Sequence, residues 1–514
     1  MVKRHFLELA SSSRSGSASR IEDLVALFTG RWAVRERPVE IWRRTLLETF
    51  DWRLAALGRM WHQAGRTGCL VWEGRDERRA VRVRVASAPS LAEELPEGAP
   101  WSKLAATVRP RRLLERLVLV QRRRRLDLLD AEEKVVARLA LVEATAISPV
   151  DRSEREIGPW IEVEELRGYP DGSRVAVLLA KTSAFRPLAG DGFDLALAEL
   201  GLRSGVDPSS FAPEFSRLAN ARVATSDALA LLFEIVRVNE PGVRADLDVE
   251  FLHDYRVAVR RSRALVSELG HVFEKRALKP WRDELGWLGR VSGPVRDLDV
   301  LLDEWNRVVA GVASDARMEE LRLAAKARRG QAFDALVAAL ATARYHRIVE
   351  RWPAFLQAQR QALEPAVGTI DAEVERRVWR RYRRVVKRGR ALDANSPAAD
   401  FHRVRIQAKK LRYLLEVFRS LWSGDDVRAA IKALKKFQDR LGEFNDAEVH
   451  AELVRELAGE GALSPAAMLA AGELIEALRQ RAREARDGFF ELFESFTTDE
   501  NAALYARLAG RERD

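Results

Sequence analysis

The chain has one cysteine, Cys69, in 514 residues. That excludes an internal disulfide framework and a zinc or iron–sulfur centre built from several cysteines. Proline (18) and glycine (30) are both sparse, which excludes collagen-like and low-complexity designs. Long apolar runs are missing as well: stretches such as residues 335–341 fall far short of the ~20 residues of a membrane span. At the N-terminus Lys3 and Arg4 are followed only by Phe6, Leu7 and Leu9 before a polar run at 11–19, too little for the apolar core of an export signal. A soluble protein of the cytoplasm, with no membrane partner, is expected. What is present is 47% hydrophobic and 32% charged residues, enough to bury large cores. The length suits two or three domains at roughly 100–200 residues each. Basic residues outnumber acidic ones by 87 to 77, a net charge of +10, which suggests an anionic partner wherever the excess is clustered.

The first 200 or so residues have the texture of strands. Residues 80–86 (AVRVRVA) place valines on one face and Arg82 and Arg84 on the other, the period of a half-buried strand. Residues 117–120 (LVLV) lead through Gln121 into the basic tract 122–125 and then LDLL, read as a strand or hairpin arm. Residues 135–145 and 160–166 are further strand candidates, with Pro- and Gly-bearing turns at 96–98 and 169–172. Residues 1–205 are therefore expected to form an α+β domain with a mainly antiparallel sheet. A loop composition at 204–210 (SGVDPSS) marks a boundary. Beyond about residue 219 apolar residues recur at helical spacing, as in Leu229, Leu232 and Ile235 or Leu411, Leu415 and Phe418. This half, 219–510, is expected to be all-α helical bundles with short connections.

An internal repeat is the most informative feature. The residues His253, Arg256, Arg260, Arg261 and Arg263 are echoed 149 positions later by His402, Arg405, Lys409, Lys410 and Arg412. In the same register GPVRDLDV at 293–300 meets GEFNDAEV at 442–449. Two motifs without a register shift imply two equivalent structural units. At about 100° per residue, positions 253, 256, 260 and 263 fall within an arc of roughly 80°, so each helix carries a cationic stripe about 15 Å long. Few acids stand three or four residues away on the same helix to neutralise it, so an external anion is the expected partner. His253 and His402 are read either as helix-start histidines with satisfied hydrogen bonds or as ligand contacts; no His or Cys at ligand spacing supports a metal site. Gly293 and Gly442 are expected to mark helix breaks, and Asp297 and Asp446 to cap a helix or pair with an arginine. The window 371–420 adds fifteen basic and six acidic residues, a net +9, so the charge is clustered. Arg380 and Arg384 lie in it, and Trp379 and Tyr382, at helical spacing, are expected to pack in the core.

These segments, LHDYRVAVRRSR at 252–263, GPVRDLDV, FHRVRIQAKKLRY at 401–413 and GEFNDAEV, resemble the CHAD family, named for conserved-histidine α-helical domains. The resemblance covers roughly residues 219–510. It implies two pseudo-symmetric four-helix bundles with a basic groove between them, and inorganic polyphosphate as ligand. Carried over position by position, it implies phosphate contacts at His253, Arg256, Arg260, Arg261, Arg263, His402, Arg405, Lys409, Lys410 and Arg412; Ser262 stands where the family often has an apolar residue. The N-terminal half resembles a divergent CYTH domain, the triphosphate-tunnel fold, on ETFDWRLAALGRMW at 48–61, with Arg82, Arg84, Arg122, Arg124, Glu162 and Glu164 fitting loosely. Its opening carries one acid, Glu8, and no following lysine, where the tunnel family's E-x-E-x-K strand would supply metal-binding carboxylates and a phosphate-binding lysine. Two-metal hydrolysis needs several carboxylates.

The expected function is thus non-catalytic binding of polyphosphate in a basic groove, with polyphosphate granules as a place of action. No catalytic residue, metal ligand or cofactor is assigned. The alternatives are a triphosphatase or polyphosphate-processing enzyme that uses the N-terminal domain, tested at Glu162 and Glu164, and nucleic-acid binding by the same groove.

Overall fold

The structure is a computed structural model that describes residues 4–9, 17–64, 68–75, 80–182, 184–188, 190–310, 312, 316–362, 367–422, 424–461 and 463–511. Of the opening segment, Val2 and Lys3 lie outside the described residues. The chain divides into two compact units, Met1–Pro208 and Ser209–Asp514.

In the first unit the strands are β1 (Arg4–Leu9), β2 (Ala33–Glu36), β3 (Glu40–Glu48), β4 (Gly58–Gln63), β5 (Cys69–Gly74), β6 (Val81–Arg84), β7 (Leu114–Leu129), β8 (Val135–Ile147), β9 (Glu154–Glu165) and β10 (Phe185–Pro187). Helices α1 (Ser17–Phe28), α2 (Trp101–Val108), α3 (Asp171–Ala180) and α4 (Gly192–Glu199) are set among them. The strands pair antiparallel in the order β10-β1-β9-β8-β7-β3-β4-β5-β6, and β2 also pairs with β7. The path ends at β10 and β6, so among the described residues the sheet is open and not closed into a tunnel. The apolar run 117–120 and the basic tract after it are one 16-residue strand, β7. Strand alternation explains how four consecutive arginines fit: Arg122 is exposed while Arg123 is buried. Leu24 and Phe28 of α1 and Val175 and Leu179 of α3 pack on Leu126, Leu128 and Val163. Phe193 and Leu197 of α4 pack on Trp61 and Trp160. Each fully buried Leu or Phe contributes about 1.5–3 kcal/mol of transfer free energy.

The second unit is helical: α5 (Ala221–Arg244), α6 (Val249–Leu269), α7 (Lys275–Val291), α8 (Gly293–Asp303), α9 (Trp305–Val308), α10 (Ala316–Leu340), α11 (Ala343–Gln361), α12 (Ile370–Gly389), α13 (Ala398–Val417), α14 (Gly424–Gly459), α15 (Pro465–Phe496) and α16 (Asp499–Leu508). Local chemistry sets many of the starts. Asn220 accepts from the backbone N–H groups of Arg222 and Val223 and caps α5; Asp248 does the same for Glu250 and Phe251 and caps α6. The repeat read from two motifs extends to the helix starts. Ala221 and Ile370, Val249 and Ala398, Lys275 and Gly424, Ala316 and Pro465 are each 149 residues apart. The unit is accordingly two pseudo-symmetric helical bundles, one built from α5 to α11 and one from α12 to α16, which correspond through α5 and α12, α6 and α13, α7–α8 and α14, and α10 and α15.

The halves differ at the second motif. In the first, the helix breaks at Ser292 and α8 opens on Gly293 and Pro294; in the second, Gly442 lies inside the uninterrupted 36-residue α14. The break expected at Gly442 is therefore corrected. A glycine costs a helix only about 1 kcal/mol, whereas proline removes a backbone donor and clashes with the preceding turn; Glu443 stands where Pro294 does.

The apolar residues at helical spacing are inside: Leu229, Leu232, Leu411, Leu415 and Phe418 are all fully buried. Tyr382 is buried as expected, stacked on Tyr505 at 4.2 Å between ring centres, whereas Trp379 beside it is only partly buried. Ser262 is buried and donates to the Ala258 carbonyl at 2.9 Å, so its hydroxyl is satisfied within the helix. No helix among the described residues is long and apolar enough to cross a membrane.

Candidate functional site

A cavity of about 350 Å³ lies between the two halves of the helical unit. Five pairs of repeat mates line it: Arg256 with Arg405, Arg260 with Lys409, Arg296 with Asn445, Asp297 with Asp446, and Val300 with Val449. Members of each pair are 149 residues apart, so the cavity sits where the repeat meets itself. His253 and His450 complete the wall. A wider cavity of about 690 Å³ continues from it, sharing Arg260, Arg405 and Lys409 and adding Arg263, Arg282, His402, Lys410 and Tyr413.

The contact between α6 and α13 has the form of a two-fold interface. Arg261 donates to Glu416 Oε2 at 2.9 Å, and its repeat mate Lys410 donates to Ser267 Oγ at 2.7 Å. Ser267 and Glu416 are themselves 149 apart, so the interface is self-complementary, residue i meeting j and the mate of i meeting the mate of j. The same seam holds Arg381 of α12 in a bidentate pair with the buried Glu268 of α6. Removing one partner of such a pair costs about 3–5 kcal/mol.

Helix geometry delivers the cations to the cavity. Arg256 donates to the Gly289 carbonyl at 3.1 Å and to Ser292 Oγ at 3.0 Å, which ties its guanidinium to the end of α7. A Cβ at Gly289 would stand 2.8 Å from Arg263 Nη1, the movable end of that side chain. Arg405 lies 3.6 Å from Asp446. His402 Nδ1 lies 3.0 Å from Asn445 Oδ1.

Crowding of like charges out of water disfavours the charged forms. Burial pulls Lys409 down to about 7, and Arg405 and Arg260 add repulsion that Asp446 opposes. Burial also lowers Arg256 to about 10, with Asp297 opposing and Arg260 adding to the shift. Arg405 is lowered by burial too, again against the pull of Asp446. Asp297 is raised, chiefly by burial; Arg256 opposes this and Asp446 adds to it as a like charge. Burial lowers His450. Five cationic side chains and two carboxylates among the described residues thus line one cavity.

Of the residues named from the sequence, the structure brings His253, Arg256, Arg260, Arg405 and Lys409 to the first cavity, and Arg263, His402 and Lys410 to the second. Arg261 and Arg412 are drawn away by one carboxylate: both pair with Glu416, Arg412 at 3.3 Å. Glu416, four residues after Arg412 on α13, thus supplies counter-charge to one cation of each repeat. Arg380 and Arg384 are exposed on α12 and line neither cavity. Asp297 and Asp446 line the cavity and face its arginines. Arg296, Asn445, His450 and Arg282 were not singled out. The first two lie inside the repeated motifs, and the 149-residue register applied to every motif position would have found them; His450 and Arg282 gave no such signal.

In the first unit the arginines have other partners. Arg123 makes a bidentate pair with Glu162 at 3.1 and 2.6 Å and stacks on Trp42 at 4.4 Å, while Trp160 donates to Glu162 at 3.2 Å. Arg44 reaches Glu73 and Gln121, each at 3.3 Å, and stacks on Trp61 at 4.5 Å. Glu162 is thereby committed to an arginine. No group of three or more His, Cys, Asp or Glu side chains that could hold a metal occurs among the described residues.

The family model of the CHAD domain matches residues 227–455, within the helical unit. Two uncharacterized proteins from two Mycobacterium tuberculosis strains are each 30% identical to this chain over 224 residues, 41% of it. The chain spans 41% of the length of these curated relatives. Among solved structures, the CHAD domain from the plant Ricinus communis is 27% identical, with a TM-score of 0.49 over 55% of this chain and 94% of its own. PptA from Streptomyces chartreusis is 18% identical, with a TM-score of 0.42 over 54% of this chain and 100% of its own.

Proposed function

We propose that the helical unit binds inorganic polyphosphate, without catalysis, in the connected cavities between its two bundles. The observation that carries this reading is the convergence of Arg256, Arg260, Arg405 and Lys409, two from each repeat, on one cavity. A polyanion with closely spaced charges matches such a row better than a small anion, because arginine offers bidentate donors to phosphate and each neutralised phosphate releases counterion. His253, Arg263, His402 and Lys410 extend the track; Arg261 joins α6 to α13 through Glu416, Arg412 pairs with the same carboxylate within α13, and both contribute field rather than direct contacts. We further infer that the sheet unit is a divergent relative of the tunnel fold, a reading supported by arginines, carboxylates and tryptophans meeting on β3, β7 and β9.

The test is titration of the full chain with long-chain polyphosphate at several salt concentrations. Log affinity should fall linearly with log salt, with a slope of about −0.7 or steeper for each phosphate neutralised. Affinity indifferent to salt, or absence of binding at low salt, overturns the proposal. Competition with single-stranded RNA at fixed salt separates it from nucleic-acid binding: polyphosphate should displace RNA, and RNA should not displace polyphosphate.

A further inference from the structure

The two cavities differ in chemistry although they share three cations. Among the described residues the wider one has cationic, neutral and apolar walls, including Ala264, Val266, Leu285 and Ile406, and no carboxylate. The narrower one contains two carboxylates, Asp297 and Asp446. They are repeat mates, come from different helices and line the same cavity, and the charge of Asp446 reaches Asp297. Within a groove for a polyanion such a pair has an energetic cost, since like charges repel in a site of reduced dielectric.

That cost depends on which part of a polyphosphate meets it. An interior phosphate is a strong monoacid: at neutral pH it has one negative charge and no proton. A terminal phosphate has a second ionisation near pH 6, so it can keep a hydroxyl and donate a hydrogen bond. A carboxylate repels the first and accepts from the second. Arginines on either side would hold the terminal group's remaining oxygens: Arg256 faces Asp297, and Arg405 lies 3.6 Å from Asp446. Burial also raises Asp297, which suits a carboxyl that shares one proton with a phosphate.

We infer that the narrow cavity seats the end of the polyphosphate chain, with Asp297 and Asp446 accepting the terminal P–OH, while interior phosphates run along the wider cavity. This rests on the proposed polyphosphate reading and deepens it: the groove reads a chain end as well as charge.

The experiment compares linear polyphosphate of one length with free ends against the same chain with both terminal phosphates methylated, at pH 6 and fixed salt. Methylation leaves the end a monoanion without a proton. Free-ended chains should bind on the order of tenfold more tightly, the worth of one charge-assisted hydrogen bond. The double variant Asp297→Asn with Asp446→Asn should bring that ratio close to one and tighten binding of the methylated chain, because two negative charges leave the groove. Equal binding of both chains by the unaltered protein overturns chain-end reading and leaves polyphosphate binding standing. Failure of both chains to bind overturns the polyphosphate reading itself. If the carboxylates serve only to orient Arg256 and Arg405, the double variant weakens both chains alike and keeps the ratio, which also overturns the inference. Circular dichroism of the variant confirms that the helices are intact.

Discussion

The two units use the same residue type in opposite ways. In the sheet unit Arg44 and Arg123 are closed in by their own molecule, each hydrogen-bonded to a carboxylate and with an indole against its face. In the helical unit Arg256, Arg260 and Arg405 are set beside one another and beside Lys409, with two carboxylates among them. The first arrangement satisfies a cation internally and contributes to stability; the second leaves positive potential for a ligand. The contrast shows that arginine content alone does not locate a binding site. What matters is whether the counter-charge is supplied by the fold.

The sharpest way to break this contrast is charge reversal on either repeat. Arg256→Glu with Arg260→Glu should abolish tight polyphosphate binding, and Arg405→Glu with Lys409→Glu should do the same. Two charged hydrogen bonds at about 1.5–3 kcal/mol each correspond to roughly a hundredfold to ten-thousandfold loss. Both pairs line one cavity, so neither variant should keep half of the binding stoichiometry. Retention of half the sites in each would show two independent grooves. Circular dichroism should show unchanged helix content.

A smaller effect of the opposite kind is expected in the sheet unit. Arg123→Ala leaves Glu162 without its bidentate partner and removes a cation from the Trp42 face. Stability of the full chain in urea should drop by about 2–3 kcal/mol, with polyphosphate affinity unchanged within about twofold. Loss of affinity without loss of stability would move the binding function toward the sheet.

How far the sequence discloses this depends on the range of each interaction. The strands were legible because alternation is local: Arg82 and Arg84 flank valines in β6, and the LVLV run continues into the basic tract as β7. The cationic stripes were legible because a helix fixes which side chains share a face. The axial cavity was half legible, since the 149-residue register shows equivalence but not that the two copies face each other. Glu416 could not be seen as the partner of Arg261, because they are 155 residues apart. Asp297 and Asp446 were read as helix caps or arginine partners; they are arginine partners that also line the cavity. Gly442 leaves its helix unbroken because no proline follows it, whereas Pro294 follows Gly293 in the other half.

The finest test concerns the one lysine among the cavity's arginines. Lys409 drops from an ordinary 10.5 to about 7 in the folded protein, first through burial and then through Arg405 and Arg260. Between about pH 7 and 10.5 the unfolded chain therefore binds more protons at this position than the folded one, so this contribution makes folding more favourable as pH rises through that window. A bound polyanion acts in the reverse sense. It favours the ammonium form, so above pH 7 binding must take up a proton, and affinity for long chains should fall by up to about tenfold per pH unit. Long chains are the right probe because their titrating ends are a small share of the charge. Lys409→Arg should flatten the profile between pH 7 and 8.5, since an arginine stays charged throughout that range, and its repeat mate Arg260 already occupies the equivalent place. Calorimetry in buffers of different ionisation enthalpy should register proton uptake for the native chain and markedly less for the variant. Identical profiles for the two proteins would show that Lys409 remains charged in the free groove, and that the carboxylates facing it offset more of the crowding than burial imposes.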